Sequence, residues 1–231
     1  MIRLCAHVEG STEEQFINEV LAPHLVDFDV LVTARMIGSA RFRSHRGGIK
    51  GWRTVRKEIV NQLREDRESI ATTMVDFYGL PKTGPKAWPG RYDAGEKRFQ
   101  DRAKLVQSAM AKDLRYEMGA GFNDNRFVPY LMMHEFEALL FSDCAKFSIA
   151  IERPNIQTQL QDIRDQFSNP EHINDSKETA PSKRILRLVE GYQKVLMGMR
   201  GVRVIGLEKI RAECPHFSNW LGRLESLSEN V

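Results

Sequence analysis

The chain has 231 residues, with 34 lysines and arginines against 31 aspartates and glutamates, six histidines and three cysteines. This length fits one large domain, or a core with an appended part, and 42% hydrophobic with 28% charged residues is typical of a globular protein. Cys5, Cys144 and Cys214 exclude a disulfide scaffold and lack C-x-x-C metal spacing. No apolar stretch approaches the ~18 residues of a membrane span and no signal peptide is visible, so the sequence predicts a cytoplasmic protein.

The first part of the chain predicts strands that alternate with helices. Ile2–Val8 is an apolar run that ends at Glu9 and Gly10, and apolar residues at helical spacing follow, with Ser11 and Glu14 as a predicted capping box. Further strands are predicted at Val30–Val32, Ile70–Tyr78 and Phe127–Met133, with helices at 55–68, 95–118 and 134–141. This alternation predicts an α/β fold with a mostly parallel sheet flanked by helices.

The last part of the chain predicts helices alone. The patterns indicate helices at Ile156–Phe167, Ser182–Leu196 and Leu207–Leu227. We therefore expect an α/β core over residues 1–145 and a helical C-terminal extension over residues 146–231, packed on the core.

Acidic residues follow three of the predicted strands. Glu9, with Glu13 one helical turn later, follows the first strand, Asp76 lies at the end of another, and Glu135 and Glu137 follow a third. Carboxyl ends of adjacent parallel strands share one edge of a sheet, so these acids would converge there. A hard cation such as Mg²⁺ or Mn²⁺ would resolve their mutual repulsion. Alternatively, Glu13 only charges a helix N-terminus and Asp76 is an isolated acid.

Four sequence segments carry a resemblance to a known family. They are VEGSTEEQF (Val8–Phe16), MVDFYGLP (Met74–Pro81), PYLMMHEFEALLF (Pro129–Phe141) and INDSKETAPSKRI (Ile173–Ile185). The strand-end Glu9-Gly10 and the later Asp76 resemble the Toprim domain of topoisomerases, primases and overcoming-lysogenization-defect nucleases. More closely, the chain resembles the bacterial Toprim-related family catalogued as domain of unknown function 4276. The fold implied by this resemblance is Toprim-like and therefore Rossmann-like.

The resemblance implies metal-dependent phosphodiester chemistry on nucleic acid, with Mg²⁺ or Mn²⁺ as the cofactor. Glu9 and Asp76 would be catalytic metal ligands, and Glu13 would match a second acid of the nuclease pattern. Tyr78 departs from the family pattern, because it stands where the usual second aspartate is missing, and a phenol is a poor ligand for Mg²⁺. Glu135, or else Glu137, is the predicted substitute ligand. On a regular helix the two would lie on different faces, whereas in an extended segment they would share one.

Basic residues are segregated from these acids. Eight of them lie between Arg35 and Lys57 with no acid among them, and we predict that four of these contact nucleic acid: Arg41, Arg43, Arg46 and Lys50. Trp52 lies beside them and is a candidate for stacking on a base. The alternative is a surface turn in which Trp52 is partly buried. Lys183 and Arg184 begin a predicted helix whose amides suit a phosphate, and Lys183 would stabilise charge on it. In both places a solvated basic surface is the alternative.

Two functions therefore remain open at this stage. The first is a metal-dependent nuclease-like protein in phage defence or mobile-element biology. The second, which the resemblance also implies, is a non-catalytic or conditionally active subunit beside a separate ATPase, because this chain has no Walker motif. The sequence predicts no membrane partner and leaves self-association undecided.

Overall fold

A computed structural model of the chain describes residues 1–38, 49–173 and 178–230. These residues divide into two compact units, of which the first is Met1–Leu131 with Arg223–Val231 and the second is Met132–Gly222. The predicted α/β fold with a parallel sheet and a helical C-terminal end is confirmed. The predicted division after residue 145 stays a prediction. None of the described helices combines the length and apolarity needed to cross a membrane.

The first unit is built around a sheet with the strand order β2-β1-β3-β4. Its strands are β1 (Ile2–Val8), β2 (Val30–Met36), β3 (Ile70–Asp76), β4 (Phe127–Val128) and β5 (Leu131–Met132). β1 pairs in parallel with both β2 and β3, β3 pairs in parallel with β4, and β5 also pairs with β3. The carboxyl ends of β1, β2 and β3 therefore point in one direction.

Burial explains why these segments form strands. All residues of β3 from Ile70 to Val75 are buried, as expected for a central strand covered on both faces. In β2, which forms one edge of the sheet, buried Val30 and Val32 alternate with exposed Leu31 and Thr33. This alternation places one face of the edge strand in the core and the other in solvent.

Helices surround the sheet within the first unit. They are α1 (Ser11–Phe16), a π-helical turn (Ile17–Leu21), α2 (Ala22–Val26), α3 (Trp52–Glu65) and α4 (Phe99–Met118), with 3₁₀ turns at Asp93–Glu96, Asp124–Arg126 and Ser226–Asn230. The predicted capping box is wrong, because Gly10 is the N-cap and Ser11 is already the first helical residue. The N–H of Glu14 instead donates to the Gly10 carbonyl at 3.0 Å.

The predicted strand Phe127–Met133 is interrupted. β4 ends at Val128 and β5 begins at Leu131, because Pro129 has no N–H to donate to the sheet. The Thr73 hydroxyl bridges the break, since it accepts the N–H of Tyr130 at 3.0 Å and donates to the Tyr130 carbonyl at 2.8 Å.

The second unit is mainly helical. Its elements are 3₁₀ segments at Phe136–Ser142, Pro154–Ile156 and Pro170–His172, and the helices α5 (Cys144–Ala150), α6 (Gln157–Arg164), α7 (Pro181–Leu188), α8 (Lys194–Ile205), α9 (Leu207–Glu213) and α10 (Pro215–Glu225). Two predicted long helices are each divided. Gly191, with a φ of 73°, separates α7 from α8, and Pro215 begins α10 directly after Cys214.

Candidate metal and phosphate site

Two predicted acids meet at the carboxyl end of the sheet in the first unit. β1 ends at Val8 and β3 ends at Asp76, and their parallel register pairs Val8 with Met74. Glu9 follows β1 directly, and its Oε2 accepts the backbone N–H of Asp76 at 3.2 Å. Both acids are half-buried. The structure therefore brings Glu9 and Asp76 together, as the strand pattern predicts.

Glu13 belongs to the same end of the sheet. Its side chain is buried although it lies in the first turn of α1. A Cβ atom built on Gly10 would lie 3.2 Å from Glu13 Oε2, so the carboxylate turns back over the residue that follows Glu9. We call Glu9, Glu13 and Asp76 the acid edge.

The acid edge is suited to one kind of cation. Within the described ranges, no three histidine, cysteine, aspartate or glutamate side chains are arranged as a metal-binding cluster. This arrangement does not fit a closed protein cage of the kind that holds structural zinc. It does fit Mg²⁺, which is usually held by one or two carboxylates and completed by water and substrate phosphate. Glu9 and Asp76 supply two such carboxylates.

A buried arginine contacts the residue that follows Asp76, and the sequence does not predict it. The Arg91 guanidinium lies 4.0 Å from the centroid of the Phe77 ring, and Phe77 directly follows Asp76. Arg91 is only 3% exposed, which is rare for arginine. No local motif marks it, because its contact with Phe77 is formed across the Pro81–Gly90 loop.

Lys50 lies at the carboxyl end of β2. A Cβ atom on Gly38 would lie 3.0 Å from Lys50 Cε, and Gly38 is two residues beyond β2. The N–H of Gly38 donates to Glu58 Oε1 at 3.1 Å. Burial raises the pKa of Glu58, while the Gly38 hydrogen bond and the charges of Arg35 and Lys50 oppose that rise. Lys50 is thus a cation at the same end of the sheet as Glu9.

The rest of the predicted nucleic-acid surface is less complete. Arg41, Arg43 and Arg46 lie outside the described residues. Trp52 is 5% exposed, and its indole N–H donates to Asp113 Oδ2 at 2.6 Å. A buried indole has no face to offer a base, so the proposed stacking role of Trp52 is wrong.

Glu135 and Glu137 lie in the second unit and have separate partners there. Oε2 of Glu135 accepts the N–H of Ser182 at 2.9 Å, at the first turn of α7. Glu137 forms an ion pair with Lys194 Nζ at 3.0 Å, although its side chain is 2% exposed and that of Lys194 50%. Burial raises the pKa of Glu137, Lys194 opposes the rise, and the charge of Glu135 adds to it.

The amides at the start of α7 are already used. Ser182 donates to Glu135, and the N–H groups of Lys183 and Arg184 both donate to the Ala180 carbonyl, at 2.9 and 3.1 Å. A phosphate would therefore depend on side chains at this helix start. The Lys183 side chain is exposed, whereas the Arg184 guanidinium donates to Thr179 O at 2.7 Å and lies 5.3 Å from the Phe167 ring centroid.

Tyr192 is a further polar residue of the second unit that the sequence reasoning missed. Its hydroxyl is buried and has no hydrogen-bond partner in the described part of the chain. Burial raises the pKa of the phenol, and the nearby charges of Glu137 and Glu135 raise it further. Tyr192 follows the turn at Gly191, and no residue pattern indicates that this turn returns to the Glu135 segment.

Comparison with protein families gives a match over most of the chain. A family model described as a domain of unknown function, DUF4276, matches residues 8–225. The chain belongs to the DUF4276 family. Comparisons with curated proteins and with solved structures give no significant match. The more distant Toprim relationship stays a prediction.

In this DUF4276 protein the predicted site residues fall into separate sets. The first unit contains the acid edge and Lys50, and the second contains the Glu135–Ser182 and Glu137–Lys194 contacts. The matched residues include both sets. Tyr78 is half-buried, two residues beyond Asp76, and adds no carboxylate to the acid edge.

Proposed function

We propose that this DUF4276 protein is a nuclease-like enzyme that cleaves DNA or RNA phosphodiesters with Mg²⁺ or Mn²⁺ at the acid edge. One observation carries the proposal: Glu9 and Asp76 meet at the ends of two neighbouring parallel strands, joined by the hydrogen bond from Asp76 N–H to Glu9 Oε2. Ligands of open α/β sheets bind outside the carboxyl ends of the strands. The juxtaposed acids give that position a preference for a cation.

Glu9 and Asp76 would hold the ion, and Glu13 is the candidate for a further ligand or a water-mediated contact. A bound Mg²⁺ or Mn²⁺ would polarise the phosphodiester and lower the pKa of a bound water. The chain's own contribution would be to hold the two carboxylates in one place before the ion arrives. Anchoring Glu9 to the Asp76 amide supports that role.

Cations near the acid edge would bring in the substrate. Lys50, at the end of β2, would attract a polyanion, together with Arg41, Arg43 and Arg46, whose role stays a prediction. In the second unit, the exposed Lys183 stays a predicted phosphate contact. Arg184 is the weaker candidate there, because its guanidinium already binds Thr179 O.

Glu135 and Glu137 are kept outside the minimal metal set. The Lys194 ammonium forms an ion pair with Glu137 and would compete with a cation for it. Glu135 accepts one backbone N–H, as Glu9 does, but lies in the second unit. Their role as metal ligands therefore stays a prediction, to be tested separately from Glu9 and Asp76.

A conditionally active subunit of an ATPase complex is the second candidate function. Tyr78 favours it, because this residue leaves the acid edge without the second aspartate of the Toprim pattern. Such a protein would bind a metal and nucleic acid weakly until a partner completed its site. Phage defence or mobile-element biology is the setting we propose for either function.

The deciding experiment is a cleavage assay on the purified full chain. Labelled single- and double-stranded DNA and RNA are incubated with Mg²⁺, Mn²⁺ or a chelator. We expect metal-dependent cleavage by the wild type and a loss of about 100-fold or more in Asp76→Asn, within the usual range for losing one charge-stabilising group. Asp27→Asn, which changes an exposed aspartate of the same unit, is the matched control.

Circular dichroism and thermal unfolding must show that both variants remain folded. Equal activity in Asp76→Asn and the wild type would remove the acid edge from the mechanism. Absence of cleavage by the isolated chain on all four substrates would reject the simple nuclease. Cleavage that appears only with a co-purified ATPase would support the second candidate.

A further inference from the structure

The first unit has a cavity at the amino-terminal ends of its strands, the end of the sheet opposite to the acid edge. It has a volume of about 470 Å³, and its walls are the first residues of β1 and β3, the loop between α3 and β3, the turn before β4, and Leu227. This volume lies within the ~300–1,000 Å³ of typical small-molecule pockets. The lining is mixed, with three arginines, one glutamate (Glu68) and two asparagines beside aliphatic side chains.

Three arginines line this cavity, but they are not equally paired. The Arg3 guanidinium donates to the Asp66 carboxylate at 2.8 and 2.9 Å and to Glu68 Oε2 at 3.2 Å. Among the described residues, Arg126 donates only to backbone carbonyls, those of Leu63, Asp66 and Ser69, at 2.7 to 3.0 Å.

Arg67 is exposed, and within the described ranges neither it nor Arg126 forms an ion pair with a carboxylate. Two arginines without an ion pair therefore line the cavity, in which the Glu68 carboxylate, bound to Arg3, is the one acidic lining residue. Burial lowers the pKa of Arg126, and the charge of Asp66 opposes that effect. A half-buried cation held by neutral carbonyls gains from an anion placed beside it.

The remaining walls select what the anion is attached to. Ile2, Ile70 and Leu227 provide aliphatic surface. Asn123 and Asn125 also line it. Oδ1 of Asn123 accepts the Asn125 N–H at 3.0 Å, which leaves the Asn123 NH₂ group to act as a donor. Such walls suit a planar body with polar edges better than a bare inorganic ion.

We propose that this cavity binds a planar organic anion, whose phosphate or carboxylate pairs with Arg67 and Arg126 while its ring lies on the aliphatic wall. The site is preorganised, because Arg3 from β1 and Arg126 from the turn before β4 hold the α3–β3 loop from two sides. This inference does not rest on the proposed nuclease function, since it concerns the other edge of the sheet.

Isothermal titration of the full chain with adenosine monophosphate and with benzoate tests the proposal. At least one of these anions should bind at micromolar to low millimolar concentration, and the one that binds identifies the preferred anionic group. Adenosine has the planar ring without the anionic group, and inorganic phosphate is an anion without a ring. Each should bind about tenfold more weakly or worse. Failure of both organic anions to bind, or equal binding of inorganic phosphate, overturns the proposal.

Two variants locate the binding. Arg67→Ala should weaken it about tenfold or more, because it removes a charge-assisted contact without disturbing a contact in the fold. Asn125→Trp should block it by filling the cavity from an exposed turn. Arg200→Ala, an exposed arginine in α8, is the control and should bind as the wild type does. Equal binding by all variants, or equal loss in Arg67→Ala and Arg200→Ala, rejects this location.

Discussion

The backbone N–H of Asp76 donates to Oε2 of Glu9 at 3.2 Å, so an acidic side chain joins the ends of two parallel strands. This contact holds the Glu9 carboxylate next to the backbone of Asp76. Gly10 allows Glu13 to approach the same turn, because a Cβ atom there would lie 3.2 Å from Glu13 Oε2. The acid edge is thus a product of strand order and of one small residue.

Replacing Glu9 separates its metal role from its structural one. Glu9→Gln keeps an oxygen that can accept the Asp76 N–H but removes the charge that would bind the ion. We expect Mn²⁺ affinity, measured by electron paramagnetic resonance, to fall about tenfold or more while the unfolding free energy changes by at most ~1 kcal/mol. The exposed Glu65→Gln should bind Mn²⁺ as the wild type does. Unchanged Mn²⁺ affinity in Glu9→Gln would contradict the metal assignment.

The sequence predicts the acid edge better than it predicts the second unit. Ile2–Val8 is both predicted and found as a strand, because a buried parallel strand is a continuous apolar run with a sharp end at Glu9. The segment after His134 is entirely buried, its two glutamates included, so the spacing of its apolar residues does not distinguish a helix from other structure. It forms a 3₁₀ helix from Phe136, with Glu135 still extended before it.

Contacts between distant segments account for what the sequence does not predict. One such contact joins the Arg91 guanidinium to the Phe77 ring, and another joins the Glu135 carboxylate to the Ser182 N–H. Each depends on the path of the loops between the two residues. The same is true of Tyr192, whose pKa is raised by burial and further by the charges of Glu137 and Glu135. No local sequence pattern predicts contacts of this kind.

Two glycines inside helices should respond in opposite directions to alanine. At Gly201 in α8 a Cβ atom would lie 2.7 Å from Leu140 Cδ2 and 2.8 Å from Phe147 Cδ2, so Gly201→Ala overpacks the core. We expect a loss of ~1–3 kcal/mol in unfolding free energy, which exceeds the gain in helix propensity. At Gly222 in α10 the nearest atom, Arg211 Nη2, would be 3.7 Å away. Gly222→Ala should stabilise by ~0.5–1 kcal/mol, and urea unfolding of both variants checks this contrast.

Glu171 should make stability depend on pH. Its buried carboxylate accepts the N–H groups of His216 and Phe217 at 2.8 and 2.9 Å and so caps α10. Burial raises its pKa from 4.5 to about 7, although both hydrogen bonds act against that rise. Because the folded pKa is above the unfolded one, the stabilisation by the protonated form is complete below pH 4.5 and is lost as the pH rises through 7.

The measurement is urea unfolding from pH 4.5 to pH 8, with Glu171→Gln as the comparison. The wild type should lose on the order of 3 kcal/mol relative to Glu171→Gln across this range. His172, beside it, has a pKa lowered by burial, so its titration acts in the opposite direction and is common to both proteins. Parallel pH profiles of the two proteins would show that Glu171 does not titrate in this range.

Removal of the Tyr192 hydroxyl should stabilise the protein. The hydroxyl is buried with no hydrogen-bond partner among the described residues, and burying such a group costs about 1–3 kcal/mol. Tyr192→Phe keeps the ring and removes that group, so we expect the unfolding free energy to rise by ~1 kcal/mol or more. Tyr116→Phe, at a residue that is 87% exposed, should leave stability unchanged. A destabilised Tyr192→Phe would mean instead that the hydroxyl makes a stabilising hydrogen bond in solution, beside the carboxylates of Glu135 and Glu137.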